Sequence, residues 1–266
     1  SKVPPLVSCL MVTANRPGLA ARAIHCHAMQ TFTDSELVIV DDGDEDYSEV
    51  IARHGAPGRV RYVRLPHNPS LTLGDLRNIS MDAAQGEWLV QWDDDEWYSG
   101  DRIETQLDAA LRAGTGAAAL KWTLMRVNIG GRPVTFRADS GLATPGTILY
   151  RRCRTRYPSM RRNEDGVFLR GIADEVGLSV LGPEAAALFV RVHHGANTWD
   201  LEHFLKRLHR VPTQWPGWLL ARYVRRDLTT LPAFALDDQE KRTVAALDGW
   251  SPLTTASEGV SASDHH

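Results

Sequence analysis

Cysteine is scarce in this 266-residue chain: Cys9, Cys26 and Cys153 are the only three, and none forms a CxxC pair. That count excludes a disulfide framework and gives no sign of a zinc cluster, so all three read as buried small apolar residues. No run approaches the roughly 18 uncharged apolar residues of a transmembrane helix, and SKVPPLVSC lacks the pattern of a secretory signal, so the sequence reads as cytoplasmic. Neither sign of charge dominates: 30 Lys+Arg face 33 Asp+Glu, a net charge of −3, which excludes a polycationic nucleic-acid binder. With 43% hydrophobic and 24% charged residues, 21 Gly and 14 Pro, the composition is that of a folded globular chain and not of a collagen-like or wholly disordered one. Internal repeats and heptads are absent. The length suits one large domain or two small ones.

Short apolar runs bounded by turn residues alternate with stretches of helical period, the pattern of successive β-α-β units around a mostly parallel sheet. LVSCLMVT (6–13), ELVIVDD (36–42), RVRYVRL (59–65) and EWLVQW (87–92) read as strands, with helices over 18–29 and 74–84. Ile103, Leu107 and Leu111 give the next helix one apolar face, and the doubly wound half ends near 113. Beyond it, AAALKWTLMRVN and RPVTFRA flank Gly130-Gly131, a hairpin signal, and GTILYRR suggests a further strand. A short helix over 164–175 and late strands in LSVLG and AALFVRVHH follow. Residues 200–248 carry helical signals broken by Pro212, Pro216 and Pro232, and the small polar residues 251–266 read as a disordered tail.

Two acidic clusters carry the chemistry. Asp93, Asp94, Asp95 and Glu96 directly follow a buried strand, and Asp41-Asp42-Gly43-Asp44 ends another, so both fall at carboxyl ends of strands, where open α/β sheets bind ligands. Four adjacent carboxylates repel one another, and a divalent cation with hard oxygen ligands relieves that conflict. Carboxylates also accept hydrogen bonds from nucleobase N–H groups and sugar hydroxyls. A solvated acidic turn and an Asp-Gly strand ending are the plainer alternatives.

In this order, VTANRPG, VDDG, GDLRNISMDAAQGEWLVQWDDDEW and NEDG resemble the family 2 glycosyltransferases, nucleotide-sugar enzymes of the GT-A fold, over roughly residues 6–200. The resemblance implies an α/β fold with a Rossmann-like mixed sheet flanked by helices. It divides the chain into a catalytic domain over 1–199 that binds donor and acceptor, a C-terminal helical extension over 200–250, and the tail. Thr13 and Asp41, with Asp42 a close alternative, would hold the nucleotide base. Arg77 would lie against base or diphosphate, a guanidinium being suited to paired contacts with phosphate oxygens, and Asn78 would fix the loop. Arg16 is either a phosphate contact or a surface arginine. The family's DxD motif falls on Asp93 and Asp95, with Asp95 binding Mn²⁺ or Mg²⁺, Asp93 facing ribose or sugar, and Asp94 in the variable middle. The NEDG segment matches the ED motif: Asp165 would be the catalytic base, with Glu164 contacting acceptor or donor hydroxyls. A helix N-terminal acid pair is the alternative there. In FVRVHHGANTW the H-x-x-N spacing selects His194 over His193 as a metal ligand.

Departures mark the limits of the resemblance. Asp75 stands where relatives carry a small residue, and the QxxRW signature of processive synthases is missing. These features imply single transfer of a sugar, with inversion, from a nucleoside diphosphate sugar to the hydroxyl of a glycan, lipid-linked or small-molecule acceptor. A Mg²⁺-dependent phosphohydrolase and a non-catalytic nucleotide-sugar binding protein are the rival readings. Trp97 and Tyr98 line the sugar pocket or pack in the core. The C-terminal segment, with Trp199, Trp215, Trp218, Arg222, Arg225 and Arg226, is a candidate for contact with acceptor, a membrane surface (a peripheral location) or a second copy in a homo-oligomer.

Overall fold

Val7, Cys9 and Met11 of β1 (Val7–Thr13) point to one side of a sheet and Leu10 to the other; Leu37 and Ile39 of β2 (Ser35–Asp41) oppose Val38 and Val40 in the same way. Both faces are therefore apolar, which requires helices on both. The structure, a computed structural model, describes residues 6–160, 163–195 and 201–252 and supplies them. α1 (Pro17–Ala28) and α4 (Arg102–Ala113) pack on one face through Ala20, Ile24, Ile103 and Leu107. α3 (Leu73–Ala83) and α5 (Glu164–Val176) cover the other with Leu76, Met81, Phe168 and Ile172. Between them in sequence lies α2 (Ser48–His54), a seven-residue helix without a long apolar period to announce it.

The first sheet also contains β3 (Val60–Arg64), β4 (Trp88–Gln91), β6 (Ala117–Leu120), β9 (Leu149–Arg151) and β10 (Ser179–Leu181), in the order β10-β6-β9-β4-β1-β2-β3. It is mixed: β9 runs antiparallel to both neighbours, and the other pairs are parallel. A second sheet has the order β5-β11-β7-β8, from β5 (Trp97–Tyr98), β11 (Phe189–Val192), β7 (Trp122–Ile129) and β8 (Arg132–Asp139). The expected hairpin at Gly130-Gly131 joins β7 to β8. Ile129 pairs with Arg132, and the left-handed φ values of the two glycines, 59° and 72–82° in the type I′ range, fit a two-residue turn, with Gly131 itself at 82°. The run AAALKWTLMRVN is not one strand. It bends at Lys121, giving β6 to the first sheet and β7 to the second.

The C-terminal segment packs on the second sheet. Phe204, Leu205 and Leu208, from α6 (Leu201–Leu205) and the turn after it, bury against Met125, Val127, Phe136 and Ala138. Pro212 and Pro232 begin 3₁₀ turns, as their fixed φ and missing N–H favour. Pro216 does not break a helix but sits in the first turn of α7 (Trp215–Leu219), which continues into a π-helical turn over Leu220–Arg225. α8 (Asp238–Gly249) opens with a reciprocal Asp237–Glu240 capping box, and the buried Glu240 also receives both arms of Arg137 from β8. Residues 253–266 of the expected tail and Trp199 lie outside the described residues. Among the described residues, no helix is long and apolar enough to cross a membrane.

Candidate active site

Strand register sets the first contacts. Thr13 and Asp41, the last residues of β1 and β2, are direct neighbours in the parallel ladder, and Asp93 begins two residues after β4 ends. Asp41 is fully buried, with one carboxylate oxygen accepting the Gly43 N–H at 2.9 Å and the other the Tyr62 hydroxyl at 2.8 Å. Gly43 must lack a side chain, because a Cβ there would stand 2.7 Å from the backbone nitrogen of Asn15. Asn15 Oδ1 in turn accepts the Asp44 N–H at 2.7 Å, so the VDDG turn rests on the VTANRPG loop. Asp42 lies beside it, its carboxylate 3.8 Å from His67 Nδ1.

In the acidic turn the middle residue faces inward. Asp94 is 2% exposed and accepts hydrogen bonds from Thr13 Oγ1 at 2.6 Å and from Arg16 at 2.8 Å. Burial pushes its carboxyl up to about 7, with Arg16 pulling it back and Asp95 adding to the rise. Asp94 thus ties the ends of β1 and β4 together, and Arg16 is held at the site by its charge. Thr13 Oγ1 also meets the Tyr47 hydroxyl at 2.8 Å. Asp95 faces outward: its Oδ2 lies 3.5 Å from Arg16 and 3.2 Å from His194 Nε2, while Arg22 donates to its carbonyl. His194 reaches this point because Glu96 accepts the Val192 N–H at 2.7 Å and pairs with Arg191 at 3.5 Å, pinning β11 to the turn. Burial pushes the Glu96 carboxyl up to about 8. His193 turns away to stack edge-on with Phe204.

Asp93 accepts a hydrogen bond from Gln91 Nε2 at 3.1 Å and stands 3.6 Å from Arg77. Trp97 and Tyr98 belong to the core and not to a pocket wall, and the Tyr98 hydroxyl donates to the Asp93 carbonyl at 3.0 Å. Beneath the turn lies Arg102, fully buried, donating to the Gln91 carbonyl and to Gln106 Oε1, each at 3.0 Å. Its guanidinium stacks 4.5 Å from the Tyr98 ring centre and 5.0 Å from that of Trp92. Among the described residues no carboxylate pairs with it, so its charge is left to act on the acidic turn above. Sequence reasoning missed Arg102; the Arg102–Gln106 pair, four apart on the apolar face of α4, was the available signal.

The third group gathers on α3 and α5. Asp75 is the reciprocal member of a capping box with Thr72, accepting the Thr72 N–H at 2.8 Å, so the unusual residue before the RN pair starts the helix. Gly74 allows the close approach, since a Cβ there would stand 2.4 Å from the Pro158 carbonyl oxygen. Asn78 fixes the neighbouring loop by two 2.9 Å hydrogen bonds to the backbone of Tyr157. Arg77 is buried over the Tyr157 ring and pairs with three carboxylates: Asp165, Glu164 at 3.3 Å and Asp93 at 3.6 Å. The structure therefore places Arg77 between the two acidic motifs, a position the resemblance did not imply. Burial pushes the Asp165 carboxyl up to about 6, against the pull of Arg77.

Two contiguous chains of contacts result, Asp41–Thr13–Asp94–Arg16–Asp95–His194 and Asp93–Arg77–Glu164/Asp165, joined by the Asp93–Asp95 turn. Asp95 Oδ2 and His194 Nε2 converge as a hard oxygen and an imidazole nitrogen, a donor pair that suits Mn²⁺ or Mg²⁺. Among the described residues no group of three or more His, Cys, Asp or Glu is arranged to hold a metal ion. Mg²⁺-type sites commonly take only one or two protein ligands and complete their shell with substrate phosphates and water, so two donors fit.

A mixed sheet between helix layers, with carboxylates gathered at the strand ends, is the architecture of the GT-A fold. Residues 8–167 match the model of glycosyl transferase family 2, and the chain belongs to that family. It is 32% identical over 106 residues to EpsH of Bacillus subtilis, covering 40% of this chain and 30% of that one. It is 28% identical over 139 residues to the succinoglycan biosynthesis protein ExoO of Rhizobium meliloti, covering 52% and 39%. The matched region thus spans well under half of these curated relatives. Among solved structures, TarS of S. aureus (residues 1–349) in complex with UDP-GlcNAc superposes with a TM-score of 0.57 at 17% identity, covering 89% of this chain and 78% of that one. The mannosyltransferase PcManGT of Pyrobaculum calidifontis, in complex with GDP-Man and Mn²⁺, gives 0.53 at 14%, covering 98% and 79%. At these identities the likeness is one of fold.

Proposed function

We propose that the chain is a metal-dependent, inverting glycosyltransferase that moves one sugar from a nucleoside diphosphate sugar to an acceptor hydroxyl. The observation that carries this reading is the shared contact of Asp93 and Asp165 with one guanidinium, which puts the DxD and ED carboxylates in a single cleft. UDP and GDP sugars are the donors to try first, given the complexes of the two structural neighbours.

Thr13, Asp41 and Asp42 would receive the nucleoside, and Asp95 with His194 would hold the Mn²⁺ or Mg²⁺. When bound, the ion supplies positive charge to offset that on the departing diphosphate. Asp93 would orient ribose or sugar hydroxyls, and Glu164 those of acceptor or donor. Asp94 serves from behind, fixing Thr13 and Arg16. Asp165 takes the proton of the acceptor hydroxyl as its oxygen attacks the anomeric carbon; the bond to the diphosphate breaks, and its electron pair leaves with the nucleotide. A carboxyl at about 6 is ionised at neutral pH yet more basic than an ordinary aspartate, which suits a general base. The phosphohydrolase reading lacks support, since such an enzyme needs a nucleophilic aspartate at the end of β1, where Thr13 stands.

The test is nucleoside diphosphate release from a panel of UDP and GDP sugars with Mn²⁺ present. At least one donor is expected to yield nucleoside diphosphate and free sugar slowly, and faster with a suitable acceptor hydroxyl. Tight donor binding with no release from any donor would favour the non-catalytic reading, and phosphate release from simple monoesters the hydrolase.

A further inference from the structure

The helical run from Trp215 through Arg225 is amphipathic in the wrong sense for a protein surface. Trp215, Leu219 and Tyr223 fall four apart, and so do Pro216, Leu220 and Val224, making two adjacent columns. These residues face solvent: Trp215, Leu219, Leu220, Tyr223 and Val224 are 42–72% exposed, while Trp218 and Ala221 face inward. Single exposed apolar residues are ordinary, but a contiguous stripe with aromatic members marks a contact surface.

Charge identifies what it contacts. Residues 201–226 hold six Lys or Arg against the single acid Glu202, in a chain whose net charge is −3. Arg222, Arg225 and Arg226 adjoin the stripe, and among the described residues Arg225 and Arg226 have no ion pair. A second copy docked stripe to stripe about a two-fold axis would bring these arginines against their equivalents, a repulsive arrangement. An apolar stripe with Trp and Tyr, bordered by arginines and lacking acids, instead matches a bilayer surface with anionic headgroups.

We propose that residues 211–226 form an interfacial docking surface for an anionic lipid membrane, with Trp215, Leu219 and Val224 entering the headgroup–acyl boundary and Arg225 and Arg226 pairing with lipid phosphates. The surface is distinct from the Asp95–Asp165 cleft and does not depend on the activity proposed above.

The test is co-sedimentation of the chain with phosphatidylcholine vesicles containing about one-third phosphatidylglycerol, at low and high salt. Binding is expected with these vesicles, much less with phosphatidylcholine alone, and less at high salt. Trp215→Ser/Leu219→Ser/Val224→Ser should lower binding at least about tenfold, and Arg225→Gln/Arg226→Gln by about fivefold per arginine, with unchanged circular dichroism. All five side chains are exposed, so the fold should tolerate both sets. Failure to bind anionic vesicles at low salt, or equal binding by the apolar variant, would overturn the proposal. A concentration-dependent dimer that the apolar variant abolishes, without vesicle binding, would overturn it in favour of a second copy.

Discussion

Arg77 and Asp165 form an ion pair across 88 residues of chain, and it links the helix after β3 to the helix that starts with the ED motif. The same guanidinium lies within 4 Å of Asp93 and Glu164, so one cation holds together carboxylates that would otherwise repel. Its cation–carboxylate attraction opposes the burial that raises Asp165.

Turnover in the wild-type protein should therefore rise as pH increases through about 6 and level off above it, because the base acts ionised. Arg77→Met removes the attraction but not the burial, so the rise should move to higher pH. The variant is also expected to lose about 2–3 kcal/mol of stability, since a buried ion pair broken on one side leaves uncompensated charge. Arg77→Lys should shift the rise less. A pH–rate profile unmoved in both variants would separate Asp165 from the titration.

Asp94 gives a prediction about stability. Its folded carboxyl titrates near 7 and its unfolded one near 3.8, so between these values the folded state keeps a proton that the unfolded state has lost. Stability from this group is greatest at low pH and falls as pH rises through that window. The buried His27, lowered to about 3, opposes it, losing stability as pH falls below 6.5. A comparison of Asp94→Asn with wild type isolates the aspartate: whatever the variant loses at pH 5, its stability relative to wild type should improve by about 1–3 kcal/mol by pH 8. Urea unfolding at the two pH values measures this, and parallel curves would contradict it.

Asp95 and His194 should control the metal. With UDP or GDP present, Mn²⁺ is expected to raise the melting temperature of the wild type, since a ligand that binds only the folded state stabilises it. Asp95→Ala should abolish that increment and leave the smaller shift by nucleotide alone. His194→Ala should weaken the Mn²⁺ dependence on the order of tenfold. An undiminished Mn²⁺ increment in Asp95→Ala would remove Asp95 from the metal.

Arg102→Met should cost about 2–3 kcal/mol in urea unfolding, because the Gln91 carbonyl and Gln106 side chain lose their buried donor. The acidic turn should loosen with it and donor binding weaken. An unchanged midpoint would mean that methionine replaces the guanidinium without loss.

The strands that position the nucleotide were legible in the sequence because β1, β2 and β4 are buried on both faces and read as uninterrupted apolar runs ending in Thr13, Asp41 and Asp93. What escaped did so for physical reasons. The two-residue β5 is too short to show a period, and Lys121 alone gave no sign that β6 and β7 enter different sheets. A run of four acids does not reveal which one turns inward; that depends on Thr13 and Arg16 meeting Asp94 from another strand. Arg77 was recognised as a site residue, but a guanidinium suits carboxylates as well as phosphates, and only the tertiary fold brings Glu164 and Asp165 to it.

The central claim is that Asp165 is the base of a sugar transfer in the cleft built around Asp93, Asp95 and Arg77. Asp165→Asn keeps the size of the side chain and removes its basicity. The most direct measurement compares wild type and Asp165→Asn with a donor that the wild type turns over, reading donor binding by calorimetry and nucleoside diphosphate release with acceptor present. The account predicts binding within about threefold of wild type and release slowed by about 10²–10⁴. Release at the wild-type rate by Asp165→Asn would contradict it.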